Sequence, residues 1–258
     1  MNTKLIVTDL DGTLLRNDKT ISDYTLSILN RCREQGIKFV YATGRAEQAT
    51  TRFKDLLHPD AVISCNGALT RYDDKTIHSC TIPKDMANEF IKLYSKSENI
   101  GYVTVDSECG AYVNHTIDGN KGWKDFEYYV MGDLPSGVIG DVYKFHIEFH
   151  DAETPFEFAA QFPGMSLLGY VGEPWFSYQN KQANKWNAIV KLSEYLGIST
   201  DDIIAFGDDK NDLEMLQNCG IGVAMDNALA EVKAVADHIC DTNDNDGVAK
   251  WIEMNVLG

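Results

Sequence analysis

Two carboxylates, those of Asp9 and Asp11, stand one residue apart just after the apolar run Leu5–Val7 and Thr8. Residues i and i+2 of an extended chain face the same side, so both side chains start on one face at the carboxyl end of a predicted strand. Ligands of open α/β sheets bind at that end, and Gly12 permits a sharp turn there that points N–H groups at an anion. Two nearby carboxylates cannot both ionise cheaply, so one tends to hold a proton, which provides a base and an acid for group transfer. Without further evidence, a turn capped by an aspartate explains the pair better.

A second acidic group favours the chemical interpretation. The segment Gly207–Asp212 (GDDKND) follows the predicted strand Asp202–Phe206 and contains three aspartates. A hard, oxygen-binding cation such as Mg²⁺ would neutralise them. Helix capping by Asp208 and first-turn acids accounts for Asp208 or Asp209, but it explains Asp212 less well.

Two further residues could hold an anion. Thr43 and Gly44 follow the predicted strand Ile37–Ala42, and Thr43 can donate to a phosphate oxygen, although it could equally cap the next helix. Lys185 lies near the start of the predicted helix Asn184–Leu196, where its charge opposes the helix dipole. This position indicates that it neutralises a buried anion, whereas most lysines are simply solvated.

The overall charge limits the classes of partner. A net charge of -16 repels the phosphate backbone of nucleic acids, so no nucleic-acid partner is expected. A small anionic ligand would need a local cation, either a metal or a Lys or Arg side chain. No apolar run is long enough for a membrane span or a signal peptide, so no membrane partner is expected either. The six cysteines form no C-x-x-C pair, and a cytoplasmic protein with reduced thiols is predicted.

Short apolar runs alternate with helical patterns at both ends of the chain. These runs are continuous, as in buried parallel strands, and their βαβα order predicts a doubly wound α/β sheet, followed after the third strand by a hairpin at Gly67–Thr81. The predicted strands are Lys4–Thr8, Ile37–Ala42, Ala61–Cys65, Asp202–Phe206, Ile221–Ala224 and Asp237–Cys240. The predicted helices are Ser22–Gln35, Ala46–Leu57, Asn184–Leu196, Asp209–Gln217, Ala228–Ala236 and Asp246–Asn255.

The middle of the chain has a different pattern. Residues 83–179 are rich in aromatic residues and glycine, and they combine two helical patterns, Lys84–Lys96 and Thr154–Phe162, with short strand-like runs. This predicts an α+β domain inserted into a core domain made of residues 1–82 and 180–258. The strand-like runs are Tyr102–Val105, Ala111–Asn114, Tyr143–Phe149, Ser166–Val171 and Trp175–Tyr178.

The motifs DLDGTLL and ATGR, the helix-opening Lys185 and the turn GDDKND resemble, in this order, the haloacid dehalogenase (HAD) superfamily of phosphotransferases. The segments NGA (66–68), GVAMDNA (222–228) and NDNDGVA (243–249) and the residue Lys233 also fit the Cof-type branch of that superfamily. The resemblance covers both core segments, whereas the inserted domain matches only by position and size. It implies a Rossmann-like core with an inserted C2 (IIB-type) cap that sets substrate specificity.

The resemblance also implies a role for each matched residue. Asp9 would be the nucleophile that forms an aspartyl-phosphate, and Asp11 would protonate the leaving alcohol and then activate water. Thr43 and Lys185 would complete the catalytic set by holding phosphate oxygens. Mg²⁺ would be held by Asp9, the backbone carbonyl of Asp11 and Asp208, and Asp212 would either bind the ion or contact one of its ligands. The residues predicted to bind phosphate or substrate are Leu10, Gly12, Thr43, Gly44, Arg45, Lys185 and Asn211.

The implied function is Mg²⁺-dependent hydrolysis of small phosphorylated metabolites, with sugar phosphates favoured, by a monomer or weak homo-oligomer. One alternative is a sugar phosphomutase, because the related phosphomannomutases have a similar cap. A second is a phosphosugar-binding regulator without turnover, which the presence of both Asp9 and Asp11 makes less favoured. Cap aromatics could stack on a sugar ring, although they more often form a core, and the cap histidines lack metal-ligand spacing. These residues are Trp123, Tyr128, Tyr129, Trp175, Phe176, His115, His146 and His150.

Overall fold

Two sheets organise the computed structural model, and each belongs to a separate unit of the chain. The first unit comprises Met1–Arg45, Thr50–Ser79 and Asn184–Gly258, and the second comprises Ala46–Ala49 and Cys80–Ala183. The structure describes residues 3–114, 130–131, 137–138, 140–169 and 172–258. Within these ranges no helix is long and apolar enough to cross a membrane.

The helices and strands are numbered along the chain. The strands are β1 (Leu5–Thr8), β2 (Lys38–Ala42), β3 (Ala61–Ser64), β4 (Leu69–Tyr72), β5 (Lys75–Ser79), β6 (Ile100–Ser107), β7 (Gly110–Val113), β8 (Val130–Met131), β9 (Val142–Phe149), β10 (Met165–Gly169), β11 (Trp175–Asn180), β12 (Ile203–Gly207), β13 (Ile221–Ala224) and β14 (His238–Ile239). The helices are α1 (Asp23–Glu34), α2 (Thr51–Leu57), α3 (Lys84–Tyr94), α4 (Thr154–Gln161), α5 (Lys185–Leu196), α6 (Leu213–Asn218), α7 (Ala230–Lys233) and α8 (Gly247–Ile252).

The sheet of the first unit has eight strands in the order β14-β13-β12-β1-β2-β3-β4-β5. The first six of these run parallel, and the β4–β5 hairpin continues the sheet in antiparallel fashion. Helices cover both faces, because Leu5 and Val7 of β1 pack with residues of α5 and α6, while Ile6 packs with residues of α1 and α8. Burial on both faces explains why the parallel strands read as continuous apolar runs. It also places β1 between β12 and β2, so their carboxyl ends are adjacent.

The second unit contains a six-stranded sheet in the order β10-β11-β9-β6-β7-β8. It is antiparallel except for the β7–β8 pair. One face packs on α3 and α4 around a fully buried Phe90. The opposite face is polar, and two rows cross its central strands. The first row is Thr104, His146 and Ser177, and the second is Asp106, Lys144 and Gln179.

The cap residues singled out in the sequence have ordinary surroundings where the structure describes them. Phe176 packs edge-to-face on Phe149, so it belongs to the apolar core of this unit. Trp175 stacks on the ring of His146 at a centroid distance of 4.6 Å. The side chain of His146 accepts or donates a hydrogen bond at Ser177 Oγ, 2.9 Å away, and burial lowers its pKa well below the usual range. His115, Trp123, Tyr128 and Tyr129 lie outside the described residues.

Three helices begin later than the sequence predicts. The chain from Ala46 first forms a 3₁₀ turn at Gln48–Thr50, and α2 starts only at Thr51. The helix predicted from Asp209 is preceded by a 3₁₀ turn, and α6 starts only at Leu213. The helix predicted over 228–236 is reduced to α7, because the amide of Leu229 donates to the carbonyl of Asp208. Before α6 and α7, hydrogen bonds within or to the turn Gly207–Asp212 take the place of the first helical bonds.

Candidate active site

Asp9 is the first residue after the central strand β1. Its backbone amide donates to the carbonyl of Phe206 at the end of β12, so the parallel ladder fixes its position. The side chain is almost fully buried, and Oδ1 accepts a hydrogen bond from Nζ of Lys185 at 2.6 Å. Among the described residues no hydrogen bond reaches the second carboxylate oxygen. That oxygen is therefore available to a ligand.

Lys185 lies fully buried at the start of α5. Asn184 caps this helix, since its Oδ1 accepts from the amide of Asn187 at 2.7 Å. The ammonium group lies 2.6 Å from Asp9 Oδ1 and 2.6 Å from Asp212 Oδ1. Burial alone would lower the pKa of Lys185, but the charges of Asp212 and Asp9 raise it above its usual range. Lys185 can therefore lie at a helix start, where the helix dipole opposes its charge, because two buried carboxylates stabilise the ammonium group.

The acidic turn after β12 is held together by Asp212. Its Oδ2 accepts from the amides of Asp208 (2.9 Å) and Asp209 (3.2 Å), and its side chain is almost fully buried. Gly207 makes this closure possible, because a Cβ there would lie 2.5 Å from the Cβ of Asp212. Asp209, rather than Asp208, caps the 3₁₀ turn by accepting from the amide of Lys210 at 2.7 Å. The alternative interpretation of Asp208 as a helix cap therefore does not hold, and the carboxylate of Asp208 is left for other partners.

Three carboxylates meet at this point of the sheet. One oxygen from each of Asp9, Asp208 and Asp212 lies within 4.8 Å of the others. Burial, reinforced by the charge of Asp212, raises the pKa of Asp208 to about 7. Burial also raises the pKa of Asp9, more strongly than Lys185 lowers it. One ammonium group therefore leaves an excess of negative charge, and a carboxylate donor set of this kind fits a hard divalent cation.

Asp11 has surroundings that differ from those of Asp9. Its carboxylate accepts from Arg45 through Nε (2.6 Å) and Nη2 (2.8 Å) and from Nζ of Lys19 (2.8 Å). Burial would raise the pKa of Asp11, but the hydrogen bonds and charges of Arg45 and Lys19 outweigh it and lower that pKa to about 2. The pair is split as the sequence predicts, with Asp9 as the member that tends to hold a proton. In the protein without substrate, the pKa of Asp11 is therefore lower than that of Asp9. An acid role for Asp11 requires the opposite order of the two pKa values.

The remaining predicted residues lie around these groups. Thr43 is buried at the end of β2, and its Oγ1 accepts from the amide of Arg45 at 3.1 Å, which leaves its own O–H free to donate to a ligand. Asn211 Nδ2 donates to Asn66 Oδ1 at 3.0 Å, and Gly44 lies close to that amide. Leu10 has a fully buried side chain, so only its backbone can take part in binding. Gly12 is required by close approach, because a Cβ there would lie 2.3 Å from Asp208 Oδ2.

Sequence reasoning missed three residues that contact the site. Thr13 Oγ1 donates to Asp208 Oδ1 at 2.6 Å, and Lys19 contacts Asp11. Asn66 was noted only as part of a family motif, yet it holds Asn211. Thr13 could have been found from its place after Gly12, where a hydroxyl follows the sharp turn. No signal in the sequence distinguishes Lys19 from a solvated surface lysine.

A comparison with known protein families assigns this fold and this group of carboxylates to a class of hydrolases. A family model described as haloacid dehalogenase-like hydrolase matches residues 6–252, so the chain belongs to that family. The Cof-type resemblance and the Rossmann-like core with an inserted cap are thereby confirmed.

Relatives of the chain are named as phosphatases. The chain is 29% identical to the 5-amino-6-(5-phospho-D-ribitylamino)uracil phosphatase YitU of Bacillus subtilis, over 98% of either chain. It is also 29% identical to the pyridoxal phosphate phosphatase YbhA of Escherichia coli, over 100% of both chains. A crystal structure of a haloacid dehalogenase-like hydrolase from Bacteroides thetaiotaomicron superimposes with a TM-score of 0.85 at 26% identity, covering 98% of this chain and 99% of that one. The prediction of an enzyme in this superfamily is confirmed.

Proposed function

We propose that this protein is a Mg²⁺-dependent phosphatase that hydrolyses small phosphorylated metabolites, with sugar phosphates as the favoured substrates, through an aspartyl-phosphate on Asp9. The observation that carries this proposal is the arrangement of Asp9, with one oxygen bonded to the buried Lys185 and the other available. A carboxylate nucleophile needs one free oxygen and a fixed orientation. Its position at the carboxyl end of the central strand supplies both.

The reaction divides into two balanced steps. In the first, the free oxygen of Asp9 attacks phosphorus, the bond from phosphorus to the ester oxygen breaks, and the leaving alkoxide takes a proton from Asp11. In the second, water attacks phosphorus and gives a proton to Asp11. The bond between phosphorus and Asp9 breaks, and inorganic phosphate and the free carboxylate are formed. Thr43, Lys185 and the backbone after Asp9 would orient the phosphoryl oxygens throughout.

Asp11 must gain a proton before the first step. In the free protein it is an ionised carboxylate held by Arg45 and Lys19. A phosphate dianion bound beside it raises its pKa, because a like charge disfavours the ionised form. The same dianion competes for Arg45, and this competition would release Asp11 to act as an acid.

Mg²⁺ would be held by Asp9, Asp208 and the backbone carbonyl of Asp11, and when bound it would neutralise charge on the transferring phosphoryl group. Both oxygens of Asp212 already accept hydrogen bonds from Lys185 or from backbone amides. These bonds favour a role for Asp212 beside the metal, where it positions Asp208 and Lys185. The excess of negative charge among the three carboxylates supports a divalent cation rather than a second lysine.

The names of related phosphatases support the proposed substrate class. The names of the two phosphatase relatives describe phosphate esters of a flavin precursor and of pyridoxal, both small metabolites. Assignment of residues 83–179 as the specificity domain, a monomeric or weakly oligomeric state and a cytoplasmic location stay predictions. All six cysteines are free in the structure, as a reducing compartment would require.

The test is phosphate release from a panel of sugar phosphates, pyridoxal phosphate and p-nitrophenyl phosphate, with Mg²⁺ and with chelator. We expect release from a few members, and only with Mg²⁺. The Asp11→Asn variant should lose more activity on sugar phosphates than on p-nitrophenyl phosphate, because nitrophenolate leaves without a proton. Asp55→Asn, an exposed change on α2, is the matched control and should behave as wild type. Absence of release from every compound would reject the phosphatase, and isomerised sugar phosphates would then favour the mutase.

A further inference from the structure

The turn Cys65–Gly67, which corresponds to the NGA motif and the residue before it, has no role in the chemistry described above. It follows β3 and has an unusual backbone. Cys65, Asn66 and Gly67 have φ angles of 48°, 54° and 96°, so three consecutive residues lie in the left-handed region. Non-glycine residues pay about 1–2 kcal/mol each for this conformation, and such strain concentrates at functional sites.

Two backbone hydrogen bonds join this turn to Thr43–Arg45, the segment after β2 that is predicted to bind phosphate and is called the phosphate-binding loop below. The amide of Asn66 donates to the carbonyl of Thr43 at 2.8 Å, and the amide of Cys65 donates to the carbonyl of Arg45 at 2.8 Å. These bonds flank Gly44 on both sides. The left-handed turn therefore fixes the backbone from which Thr43 and Arg45 project.

The side chain of Asn66 joins the same turn to the acidic turn. It is nearly buried, and its Oδ1 accepts from Nδ2 of Asn211 at 3.0 Å. Asn211 lies between Lys210 and Asp212 in the 3₁₀ turn, directly before the residue that organises Asp208 and Lys185. One amide contact thus connects two loops that are 145 residues apart in sequence.

A third contact reaches the start of α5. Gly67 packs so closely on Asn184 that a Cβ would lie 2.0 Å from the Asn184 carbonyl oxygen. Asn184 is the cap residue directly before Lys185. The turn Cys65–Gly67 consequently touches all three segments that supply the predicted phosphate ligands Thr43, Lys185 and Asn211.

We infer that Asn66 is a positioning residue for phosphoryl transfer, which sets the distance between the phosphate-binding loop and the acidic turn through its contact with Asn211. This inference rests on the proposed phosphatase function. Its backbone bonds hold Thr43, while its side chain holds Asn211. Loss of the Asn66 side chain alone leaves the backbone bond to Thr43 intact and removes the contact with Asn211.

Asn66→Gly separates these two connections, because glycine adopts the left-handed backbone without strain. We expect kcat/KM for p-nitrophenyl phosphate to fall about tenfold and the Kd of inorganic phosphate, measured by calorimetry with Mg²⁺, to rise by a similar factor. This is the range expected for loss of one nearly buried neutral hydrogen bond. Asn66→Asp keeps an acceptor oxygen at the same place and should restore kcat, although its added charge should raise KM.

A double-mutant cycle distinguishes positioning from a general structural role. In the Asn211→Ala background, Asn66→Gly should cause no further loss, because the two residues act through one contact. His58→Gly is the matched control: it replaces another left-handed residue, φ 45°, at the end of α2, and should leave kcat, KM and the Kd of phosphate unchanged. Unchanged kinetics and phosphate binding in Asn66→Gly would overturn the inference. Losses that multiply in the double variant would also overturn it.

Hydrogen exchange keeps this test separate from the proposed function. The amides of Asp208 and Asp209 donate to Asp212, and they should exchange faster in Asn66→Gly if Asn66 orders the acidic turn. A wild-type protein that neither hydrolyses nor binds phosphate would reject the phosphatase, whereas the exchange rates would still decide whether Asn66 positions this turn. Unchanged exchange at both amides would overturn the inference.

Discussion

Each of the two units buries a lysine beside aspartates, and the two arrangements differ. In the first unit, Nζ of Lys185 lies 2.6 Å from Asp9 and 2.6 Å from Asp212. In the second, Nζ of Lys144 lies 3.8 Å from Asp106 on the neighbouring strand. Lys185 follows a loop at the carboxyl edge of a parallel sheet, whereas Lys144 occupies the middle of an antiparallel strand.

The difference shows how topology concentrates charge. Parallel strands bring the loops after β1 and β12 and the start of α5 to one edge, so residues far apart in sequence converge. Three carboxylates then meet one ammonium group, and the pKa of Asp208 rises to about 7. Antiparallel strands instead place polar residues opposite each other in rows set by the register, as in the pairing of Asp106 with Lys144. The first arrangement suits a reaction on an anion, and the second distributes buried polar groups along one face of a sheet.

The largest difference should appear when each unit loses one of these buried carboxylates. Asp9→Asn removes the nucleophile, and turnover of p-nitrophenyl phosphate should fall by about 10³-fold or more, since the covalent step has no substitute. Asp106→Asn changes a buried carboxylate outside the reacting groups, and kcat for the same compound should stay within about threefold of wild type. Phosphate release measures both. Substantial turnover by Asp9→Asn would contradict the role of Asp9 as the nucleophile.

Stability should distinguish the two lysines next. Lys185→Met leaves Asp9 and Asp212 buried without their cation, and removing one partner of a buried ion pair costs about 3–5 kcal/mol. Lys144→Met should lower the free energy of unfolding by less, because its ion pair with Asp106 is longer, at 3.8 Å. Urea unfolding of metal-free protein measures both values. An equal or larger loss for Lys144→Met would show that the ion-pair distance does not decide the loss of stability.

The pH dependence of stability should follow from the acidic cluster. The pKa of Asp208 is about 7 in the folded protein and 3.8 when unperturbed, and burial shifts Asp9 in the same direction. Between these values the folded state binds more protons than the unfolded state, so the free energy of unfolding falls as pH rises from about 4 to 7. Asp11, with a pKa of about 2, acts with the opposite sign but only below pH 4.

Metal-free protein should therefore lose Tm between pH 5 and pH 8, and Mg²⁺ should restore more Tm at pH 8 than at pH 5. Asp208→Asn should flatten this dependence, because it removes one of the titrating groups. Thermal unfolding across this pH range, with and without Mg²⁺, measures it. The same slope in the variant and in wild type would show that Asp208 is not responsible.

The smallest effect should come from Thr13→Val. The hydroxyl of Thr13 lowers the pKa of Asp208 through its hydrogen bond, so its loss should favour the protonated carboxyl and weaken metal binding. We expect the Mg²⁺ concentration for half-maximal activity at pH 7 to rise about threefold to tenfold, in line with one charge-assisted hydrogen bond. Thr76→Val on the edge strand β5 should leave that concentration unchanged. An equal Mg²⁺ concentration for half-maximal activity in both variants would show that Thr13 does not support metal binding.

The sequence predicts the convergence of Asp9, Asp208, Asp212 and Lys185 because each lies at a strand end or helix start that the α/β order brings together. The strand β13 is also predicted correctly, and α1 lies within the predicted helix Ser22–Gln35, since local patterns determine both. The resemblance to the haloacid dehalogenase superfamily implies a role for each of these residues, which their positions alone do not determine.

Partners that join distant loops through side chains are not predictable in this way. The binding of Asp11 by Arg45 depends on how two loops face each other, and the sequence indicated only a phosphate or substrate contact for Arg45. The contact of Asn66 with Asn211 depends on a left-handed backbone at a non-glycine residue, which sequence patterns rarely indicate. The helix start was placed too early at Asp209 because hydrogen bonds within the turn Gly207–Asp212 compete with helical ones.

The most direct test of the covalent mechanism is to trap the intermediate. Wild-type protein, Mg²⁺ and p-nitrophenyl phosphate are mixed, quenched within one turnover and reduced with borohydride, which converts an aspartyl-phosphate to homoserine. Trypsin cuts after Lys4 and Arg16, so Asp9 and Asp11 lie in one peptide, and fragmentation by mass spectrometry distinguishes them. The mechanism predicts homoserine at position 9 only when substrate and metal are both present. Release of phosphate with an unmodified Asp9 at every quench time would contradict it.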